Sequence, residues 1–407
     1  MVSKFIFLLF LLCSLNKLSA QNEHRLLYER KYTSISGAEN LLTLHHGLYS
    51  FEEKVFPLAI ASDSNKGGYI LNCGYRLMKS VAVDYPLDYM VGLTQHEVFG
   101  HCARFNEFNY TNISFHLSLP PPFGDGHGFA DGYIPINSTF DESVSMLIAG
   151  NEANTILSGM LRNRWIADDS MNYRDYFLYM GGHHNITAYI FQNLFKEFGD
   201  INQYMYDMNI KYYKSGRKYD IHRLAQQSLI GALDPFQFIA TVNWLKYIFK
   251  GKIVSKFPSI RIKNIRYLPS FHYGLTPFGS EFYSDHYLKY KSKLFKLYGR
   301  LGDFYFKNFW GAGMAAFNIV KTKNIFLDAA VDVWNQPSLR LQDEKTKWRE
   351  TPSGTGGCLS LTASYNPNIK RIPFFFTAQG GYKTDGFLPG ETLSKGFFVR
   401  AGLGFRK

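Results

Sequence analysis

The sequence has few cysteines, no long apolar run after its first residues and no block of basic residues. Four cysteines among 407 residues are too few for a fold built on disulfides. The most apolar later segment, 236–249, is interrupted by polar residues and falls short of the ~20 residues of a membrane helix. The formal net charge is +12, yet no Lys/Arg run of motif length is present. These shortages argue against a disulfide scaffold, a helical membrane protein and a nucleic-acid-binding protein.

The N-terminus has the pattern of a secretory signal peptide. Lys4 precedes an apolar run over 5–12, and the small residues Ser19 and Ala20 close the segment. Because such a segment is removed on export, we predict that residues 1–20 are a signal peptide. A basic exported chain fits attraction to anionic lipid headgroups or acidic glycans better than binding to nucleic acid.

The most informative segment is His-Glu-Val-Phe-Gly-His at 96–101. Two histidines can bind a zinc ion, and Glu97 between them can accept a proton from a water molecule. The common zinc-protease helix spaces its histidines at i and i+4. His96 and His101 are five apart, which turns the second one about 140° around a regular helix. Both can reach one ion only through a π-type bulge, which we expect at Gly100 because it lacks a Cβ.

This pattern resembles the dipeptidyl peptidase III family of zinc metallopeptidases, whose motif is His-Glu-x-x-Gly-His. The resemblance implies a zinc cofactor held by His96, His101 and a glutamate on a later helix, with Glu97 as the catalytic base. Glu152 stands at the matching distance along the chain. The family has two adjacent glutamates there, whereas this chain has Asn151 in the first place. The match is limited to the hexapeptide and Glu152.

Glu152 lies in a predicted helix that starts at a capping box, Thr139 to Glu142, and runs to about Trp165. A carboxylate on an apolar helix face needs a partner, and Arg104 or Arg162 could fill that role instead of a metal. The other predicted helices are 87–105, 186–198, 221–231 and 234–251.

The segment between the two motif helices is rich in proline and glycine. It opens with alternating residues at 115–119, a strand candidate, and zinc proteases bind substrate backbone along such an edge. His127, Tyr133 and, further on, His183 are candidates for stabilising the oxygen of a reacting carbonyl. No spacing argument selects one of the three.

From about Ile265 the hydrophobic period changes from helical to strand-like. Apolar and polar residues alternate most clearly in 325–333, 359–365 and 397–405, and 334–356 reads as a long loop. Such strands in an exported, aromatic-rich chain are typical of an outer-membrane β-barrel. A soluble sandwich or barrel gives a similar alternation. The remaining predicted strands, which bring the number to about eight, are 265–275, 280–291, 295–304, 308–318 and 372–382.

We therefore predict an α+β protein, with a mainly helical zinc hydrolase domain at 21–260 and an antiparallel β-barrel at 261–407. The predicted function is that of a zinc-dependent metallopeptidase of the cell envelope, with a peptide or other envelope amide as substrate. The barrel would contact outer-membrane lipid, with the helical domain in the periplasm, or the chain would be secreted or surface-exposed. The alternative is an outer-membrane structural, transport or partner-binding protein with a non-catalytic metal site or none. A hydrolase of non-peptide amides or esters would use the same site residues.

Overall fold

The computed structural model describes residues 23–62, 65–196, 199–343, 347–367 and 374–406. The predicted signal peptide lies outside the described residues. Helices dominate from residue 34 to residue 250, and a large antiparallel sheet follows. This confirms the predicted change from helical to strand-like period. Within the described ranges, we find no helix with the length and apolar character needed to cross a membrane.

Among the described residues up to 250, the structure has ten α-helices and four short strands. Two π-helical turns, at 80–84 and 97–101, interrupt otherwise continuous helix. The helices are α1 Ser34–Val55, α2 Lys66–Lys79, α3 Tyr85–His96, α4 Cys102–Glu107, α5 Phe140–Leu147, α6 Ala149–Asp168, α7 Asp175–Asn193, α8 Asp200–Lys211, α9 Ile221–Ser228 and α10 Pro235–Lys250. The strands are β1 Glu23–Tyr28, β2 Thr111–Leu117, β3 Gly128–Tyr133 and β4 Ser170–Asn172, of which β1 joins the large sheet.

Local start and stop signals place several of these helices where the sequence predicts them. Asp234 caps α10 by accepting a hydrogen bond from the N–H of Phe236, and Gly251 ends the helix with a φ of 63°. The predicted helix 186–198 begins earlier, because α7 starts at Asp175, and its last two residues lie outside the described residues.

The long helix predicted from residue 139 to residue 165 is instead two helices. Thr139 and Glu142 form the expected capping box at the start of α5. The chain then turns at Ile148, whose φ of −91° and ψ of −8° lie at the edge of the helical region, before α6 begins. This turn sets the direction in which α6 passes the hexapeptide.

The strands after β4 are β5 Val254–Lys256, β6 Ile260–Ile262, β7 Ile265–Thr276, β8 Gly279–Tyr290, β9 Lys293–Gly302, β10 Trp310–Lys321, β11 Ile325–Gln336, β12 Arg340–Asp343, β13 Lys347–Glu350, β14 Gly354–Tyr365, β15 Phe374–Lys383 and β16 Gly396–Arg406. Among the described residues, the large sheet has ten antiparallel strands in the order β1-β16-β15-β14-β11-β10-β9-β8-β7-β6. About eight were predicted, all from the second half of the chain. The edge strand β1 comes from the N-terminus and pairs with β16, so the sheet does not begin at residue 261. The predicted loop 334–356 contains a small hairpin, and the first two residues of the predicted strand 372–382 lie outside the described residues.

On two strands near the end of the chain, apolar side chains point outward and buried polar or charged side chains point inward. On β14, Leu359 and Leu361 are exposed, the latter by 59 %. On β16, Phe397 and Val399 are exposed, whereas Arg400 between the outward positions is fully buried. The alternation predicted from the sequence is therefore confirmed. On these two strands the apolar side faces away from the core, whereas a soluble β-sandwich turns its apolar side inward.

The inward face of the sheet combines buried ion pairs with buried aromatic and aliphatic side chains, and it packs against helix α6. Arg400 pairs with Glu391 at 2.7 Å, and Arg300 pairs with Glu281 at 3.3 Å. Helix α6 lies against β7, β8 and β9. Because α6 also runs past the hexapeptide, one helix connects the inner face of the sheet with the candidate site.

Candidate metal centre

The hexapeptide contains the bulge that its spacing requires. Glu97–His101 form a π-helical turn between α3 and α4, closed by a hydrogen bond from the N–H of Cys102 to the carbonyl of Glu97. One extra residue in the turn cancels the divergence of two histidines five apart. The Nε2 atoms of His96 and His101 consequently lie 3.3 Å from each other.

This separation is the one that a shared zinc ion requires. Zinc–nitrogen bonds of about 2.0–2.1 Å at a tetrahedral angle place two coordinating nitrogens about 3.3 Å apart. Both imidazoles are buried, so their positions are fixed by packing. Burial and the neighbouring His101 lower the pKa of His96 to about 3, so His96 is neutral at neutral pH. The neutral ring is the form that binds metals.

The outer nitrogens of both rings have partners that can orient them. Nδ1 of His101 donates to the carbonyl of Met146 at 2.9 Å, which leaves the lone pair on Nε2. The amide of Asn154 is 3.4 Å from Nδ1 of His96, and its Oδ1 has no partner among the described residues. Rotating this amide by half a turn lets its oxygen accept the Nδ1 proton of His96, which frees Nε2 of His96 as well.

Asp200 supplies the third group with metal-binding geometry. Its Oδ2 lies 3.5 Å from Nε2 of His101, and one ligand atom from each of His96, His101 and Asp200 lies within 4.8 Å of the others. Asp200 is the first residue of α8, and its side chain is 35 % exposed. Three such groups equal the number of protein ligands in a catalytic zinc site. Nothing in the sequence around Asp200 marks it as a ligand, and the sequence prediction missed it.

Glu152, the predicted third ligand, forms a salt bridge with Arg104. Both of its carboxylate oxygens accept hydrogen bonds from Nη2 of Arg104, at 3.0 and 3.1 Å. Its Oε1 also accepts the backbone N–H of Gly390 at 2.5 Å. Across the described part of the chain, the metal-binding group at this place contains Asp200 and not Glu152. The structure therefore does not bring Glu152 together with His96 and His101, and the Arg104 guanidinium, one of the two partners considered from the sequence, pairs with this carboxylate.

Glu97 lies beside the histidines in a position suited to proton transfer. It is buried under Gly128 of β3, where a Cβ would come within 2.9 Å of its Oε1. Burial raises the pKa of Glu97 to about 7, while His101 opposes this rise and Asp200 adds to it. A carboxyl group with a pKa near neutrality can both accept and release a proton at neutral pH.

Tyr189 of α7 covers one side of His96. The two rings stack with centroids 5.1 Å apart and an interplanar angle of 27°, and the hydroxyl lies 3.4 Å from Nε2 of His96. Burial raises the pKa of Tyr189, so its hydroxyl stays protonated and can donate. No spacing or motif in the sequence pointed to this residue.

The three residues predicted as candidates for stabilising the carbonyl oxygen do not belong to the group of His96, His101 and Asp200. His127 and Tyr133 are exposed on the β2–β3 hairpin, and His127 pairs with Asp125 at 3.2 Å. His183 is buried in α7, and its Nε2 lies 3.0 Å from the carbonyl of Gly231. The hairpin itself confirms the predicted strand near residue 115.

A second cluster with metal-binding geometry, His45, His46 and Asp175, is better explained as a hydrogen-bond network. Asp175 accepts hydrogen bonds from the hydroxyl of Tyr49 at 2.6 Å and from the indole N–H of Trp165 at 2.8 Å. These donors occupy the carboxylate oxygens that a cation would need. We therefore assign this cluster to the stability of the helical part.

Comparison with known proteins gives no match, whether with family models, curated proteins or solved structures. The resemblance of residues 96–101 to dipeptidyl peptidase III thus remains a prediction from the motif, and function must be argued from the geometry of the site.

Proposed function

We propose that this protein is a zinc-dependent hydrolase of the cell envelope that cleaves amide bonds in peptides. The observation that carries the proposal is the 3.3 Å separation of the Nε2 atoms of His96 and His101, with Asp200 beside them. Structural zinc sites have four protein ligands, whereas catalytic sites have three and an open position. The three groups found here correspond to the catalytic arrangement.

In the proposed hydrolysis, each residue around the site has a distinct role. His96, His101 and Asp200 would hold the zinc ion. A zinc ion at this place supplies a Lewis acid that polarises a carbonyl and brings the pKa of water toward 7. Glu97 accepts the proton of the attacking water and delivers it to the leaving nitrogen. Tyr189 donates a hydrogen bond to the carbonyl oxygen as negative charge develops on it. A non-peptide amide or ester of the envelope would react with the same groups.

Substitution of Asp200 tests the ligand set. Asp200→Ala removes a ligand, and we expect zinc affinity to fall roughly 100-fold. Glu152→Gln should keep full zinc content, because Glu152 binds Arg104 instead. Zinc per chain is measured by mass spectrometry of the metal after dialysis, and affinity by competition with a chromogenic chelator. Circular dichroism verifies that each variant is folded.

The opposite zinc contents in these two variants would identify Glu152 as the third zinc ligand. If Asp200→Ala keeps its zinc while folded Glu152→Gln loses it, the proposal that Asp200 is the third zinc ligand is wrong. Absence of zinc from the purified wild-type chain, even after incubation with the ion, would favour the alternative of a structural or transport protein.

We also propose that the outward face of the sheet contacts the outer-membrane lipid. A lipid-facing sheet needs covered edges. Helix α1 packs against the edge strand β1, and α7, α9 and α10 pack against β7 near the other edge. The exposed apolar side chains on neighbouring strands are Leu297, Leu301, Trp310, Met314, Val331, Val333, Leu359, Leu361, Phe376, Tyr382, Phe397, Val399 and Leu403.

An arginine on this face distinguishes lipid from water. In phosphatidylcholine vesicles, Leu361→Arg should lower the free energy of unfolding by about 2–4 kcal/mol if the residue lies near the bilayer midplane. Leu71→Arg on α2 is the matched control, since Leu71 is 53 % exposed in the helical part, and we expect a change within about 0.5 kcal/mol. Guanidinium unfolding of the vesicle-bound chain measures both. If the sheet faces water, the two substitutions will have equally small effects.

A further inference from the structure

The outward side of helix α10 carries a stripe of exposed apolar side chains. They recur at helical spacing, every three to four positions, and are Phe238, Val242, Leu245 and Phe249. Their exposed fractions range from 37 % for Leu245 to 61 % for Phe238. On the opposite side of the helix, Phe236 and Ala240 are buried. A helix with two apolar sides needs cover on both, so this stripe marks an interaction surface.

The charge of the surrounding segment is of one sign. Residues 235–280 contain no Asp or Glu, and their basic residues are Lys246, Lys250, Lys252, Lys256, Arg261, Lys263 and Arg266. Lys246 and Lys250 are exposed along one flank of the stripe, and two further exposed lysines follow the helix. Among the described residues, Arg266 is the only one of these basic residues in an ion pair, with Asp169. Such an uncompensated basic segment attracts an anionic partner.

Apolar side chains flanked by lysines are the pattern of a helix that binds the surface of an anionic membrane. The apolar residues enter the boundary between headgroups and acyl chains, while the ammonium groups of the lysines stay at the level of the headgroups. A groove with a volume of about 200 Å³ lies between α10 and β5, and its lining includes Phe238, Val242 and Lys256. This groove gives room for part of an acyl chain close to a lysine.

The position of α10 relative to the large sheet agrees with a membrane partner. The helix packs against β7, next to the edge strand β6. Val254 of β5 is 49 % exposed, and Ile260 and Ile262 of β6 are 53 % and 56 % exposed. Exposed apolar side chains thus extend from α10 to the edge of the sheet that is proposed to contact lipid. A second copy of this chain fits less well, because it would present an equally basic segment without an acidic side chain.

We propose that α10 is a membrane-binding helix. Its apolar stripe inserts at the surface of a membrane that contains anionic lipid, and its lysines bind the lipid headgroups. The inference rests on the proposed lipid contact of the sheet for the orientation of the chain, but it uses none of the side chains of that contact. It adds a preference for anionic lipid, which the exposed apolar side chains of the sheet cannot give.

Co-flotation of the full chain with vesicles tests the contact with headgroups. The chain is diluted from detergent into vesicles of phosphatidylcholine, either alone or with added phosphatidylglycerol. We expect wild type to bind the anionic vesicles at least tenfold more tightly, and high salt to remove the difference. Lys246→Gln combined with Lys250→Gln should remove most of this preference. The matched control replaces Lys214 and Lys218, two exposed lysines between α8 and α9, and should keep it.

A fluorescent label tests whether the stripe meets lipid. Leu245→Cys, combined with Cys73→Ser, is labelled with nitrobenzoxadiazole, whose emission brightens and shifts to the blue in apolar surroundings. Cys102 and Cys358 are buried and therefore shielded from the label. We expect the shift on addition of anionic vesicles. The control Lys214→Cys, labelled in the same background, should show none.

Each of three results would overturn the proposal. Equal binding of wild type to both kinds of vesicle means that α10 does not bind headgroups. An equal loss of preference in the two lysine double variants means that the overall basic charge is responsible. A blue shift that appears without vesicles and grows with protein concentration means that a second copy covers the stripe. Failure of the proposed sheet contact is a different result, because Leu361→Arg then has a small effect while the anionic preference and its dependence on Lys246 and Lys250 remain.

Discussion

Glu97→Gln is expected to abolish turnover while the chain keeps its zinc. Glutamine has nearly the same shape as glutamate, but its amide cannot accept the proton of an attacking water. General-base catalysis alone contributes about 10²- to 10⁴-fold to rate. Because Glu97 is not among the three metal-binding groups, its replacement leaves the ligand set intact. We expect kcat/KM to fall by roughly 1,000-fold or more at unchanged zinc content.

The measurement uses the zinc-loaded chain and a quenched-fluorescence peptide library, with zinc per chain determined on the same preparations. Glu53→Gln is a matched control, because Glu53 is an exposed helical carboxylate whose partner is Arg174. Tyr189→Phe tests the second role, and we expect a loss of about 10²- to 10³-fold with zinc retained. Undiminished cleavage by zinc-loaded Glu97→Gln would refute the assignment of the base.

The result for the wild-type chain separates the two classes of function. One zinc per chain together with peptide cleavage that depends on Glu97 supports the hydrolase. One zinc per chain with cleavage of neither the peptide library nor p-nitrophenyl acetate supports the alternative, in which the metal has a structural or partner-binding role.

Part of the site could be predicted because its constraint is local. Two histidines five apart on one helix can converge only through a bulge, and the π turn at 97–101 is found there. The third group could not be predicted in this way. Asp200 approaches from another helix, and its neighbourhood in the sequence carries no motif. The sequence also cannot show that Arg104 lies within hydrogen-bonding distance of Glu152, which is why Glu152 and not Asp200 was the predicted third ligand.

The fold shows the same division between local and distant information. Alternating apolar residues identify the strands of the second half, because side chains on a strand point to opposite faces. The period alone does not tell which face is buried. That depends on distant partners such as Glu29, which comes from the N-terminal segment and pairs with Arg400 on β16 at 2.8 Å. The pairing of β1 with β16 joins the two ends of the chain and was invisible for the same reason.

Gly150→Ala is expected to abolish zinc binding, although Gly150 itself contributes no metal-binding atom. A Cβ at position 150 would overlap the imidazole of His96, with Nε2 as its nearest atom. The ring is also stacked against Tyr189, which restricts its movement away from α6. A methyl group at position 150 must therefore displace the coordinating nitrogen. We expect zinc affinity and kcat/KM to fall together by at least about 100-fold, an effect as large as loss of a ligand.

Gly159→Ala on the same helix is the matched control. A Cβ there meets only Nη2 of Arg162, at 3.5 Å, which is an ordinary contact. Both substitutions place a better helix former in α6, and each would stabilise the helix by up to about 1 kcal/mol if packing were the same. Only Gly150→Ala should lose zinc, measured by chelator competition at equal helicity. Because Gly100 is also packed against Gly150, with a would-be Cβ 2.7 Å from its Cα, the glycine of the hexapeptide serves this close approach of two backbones. Stoichiometric zinc in folded Gly150→Ala would mean that Nε2 of His96 does not bind the metal.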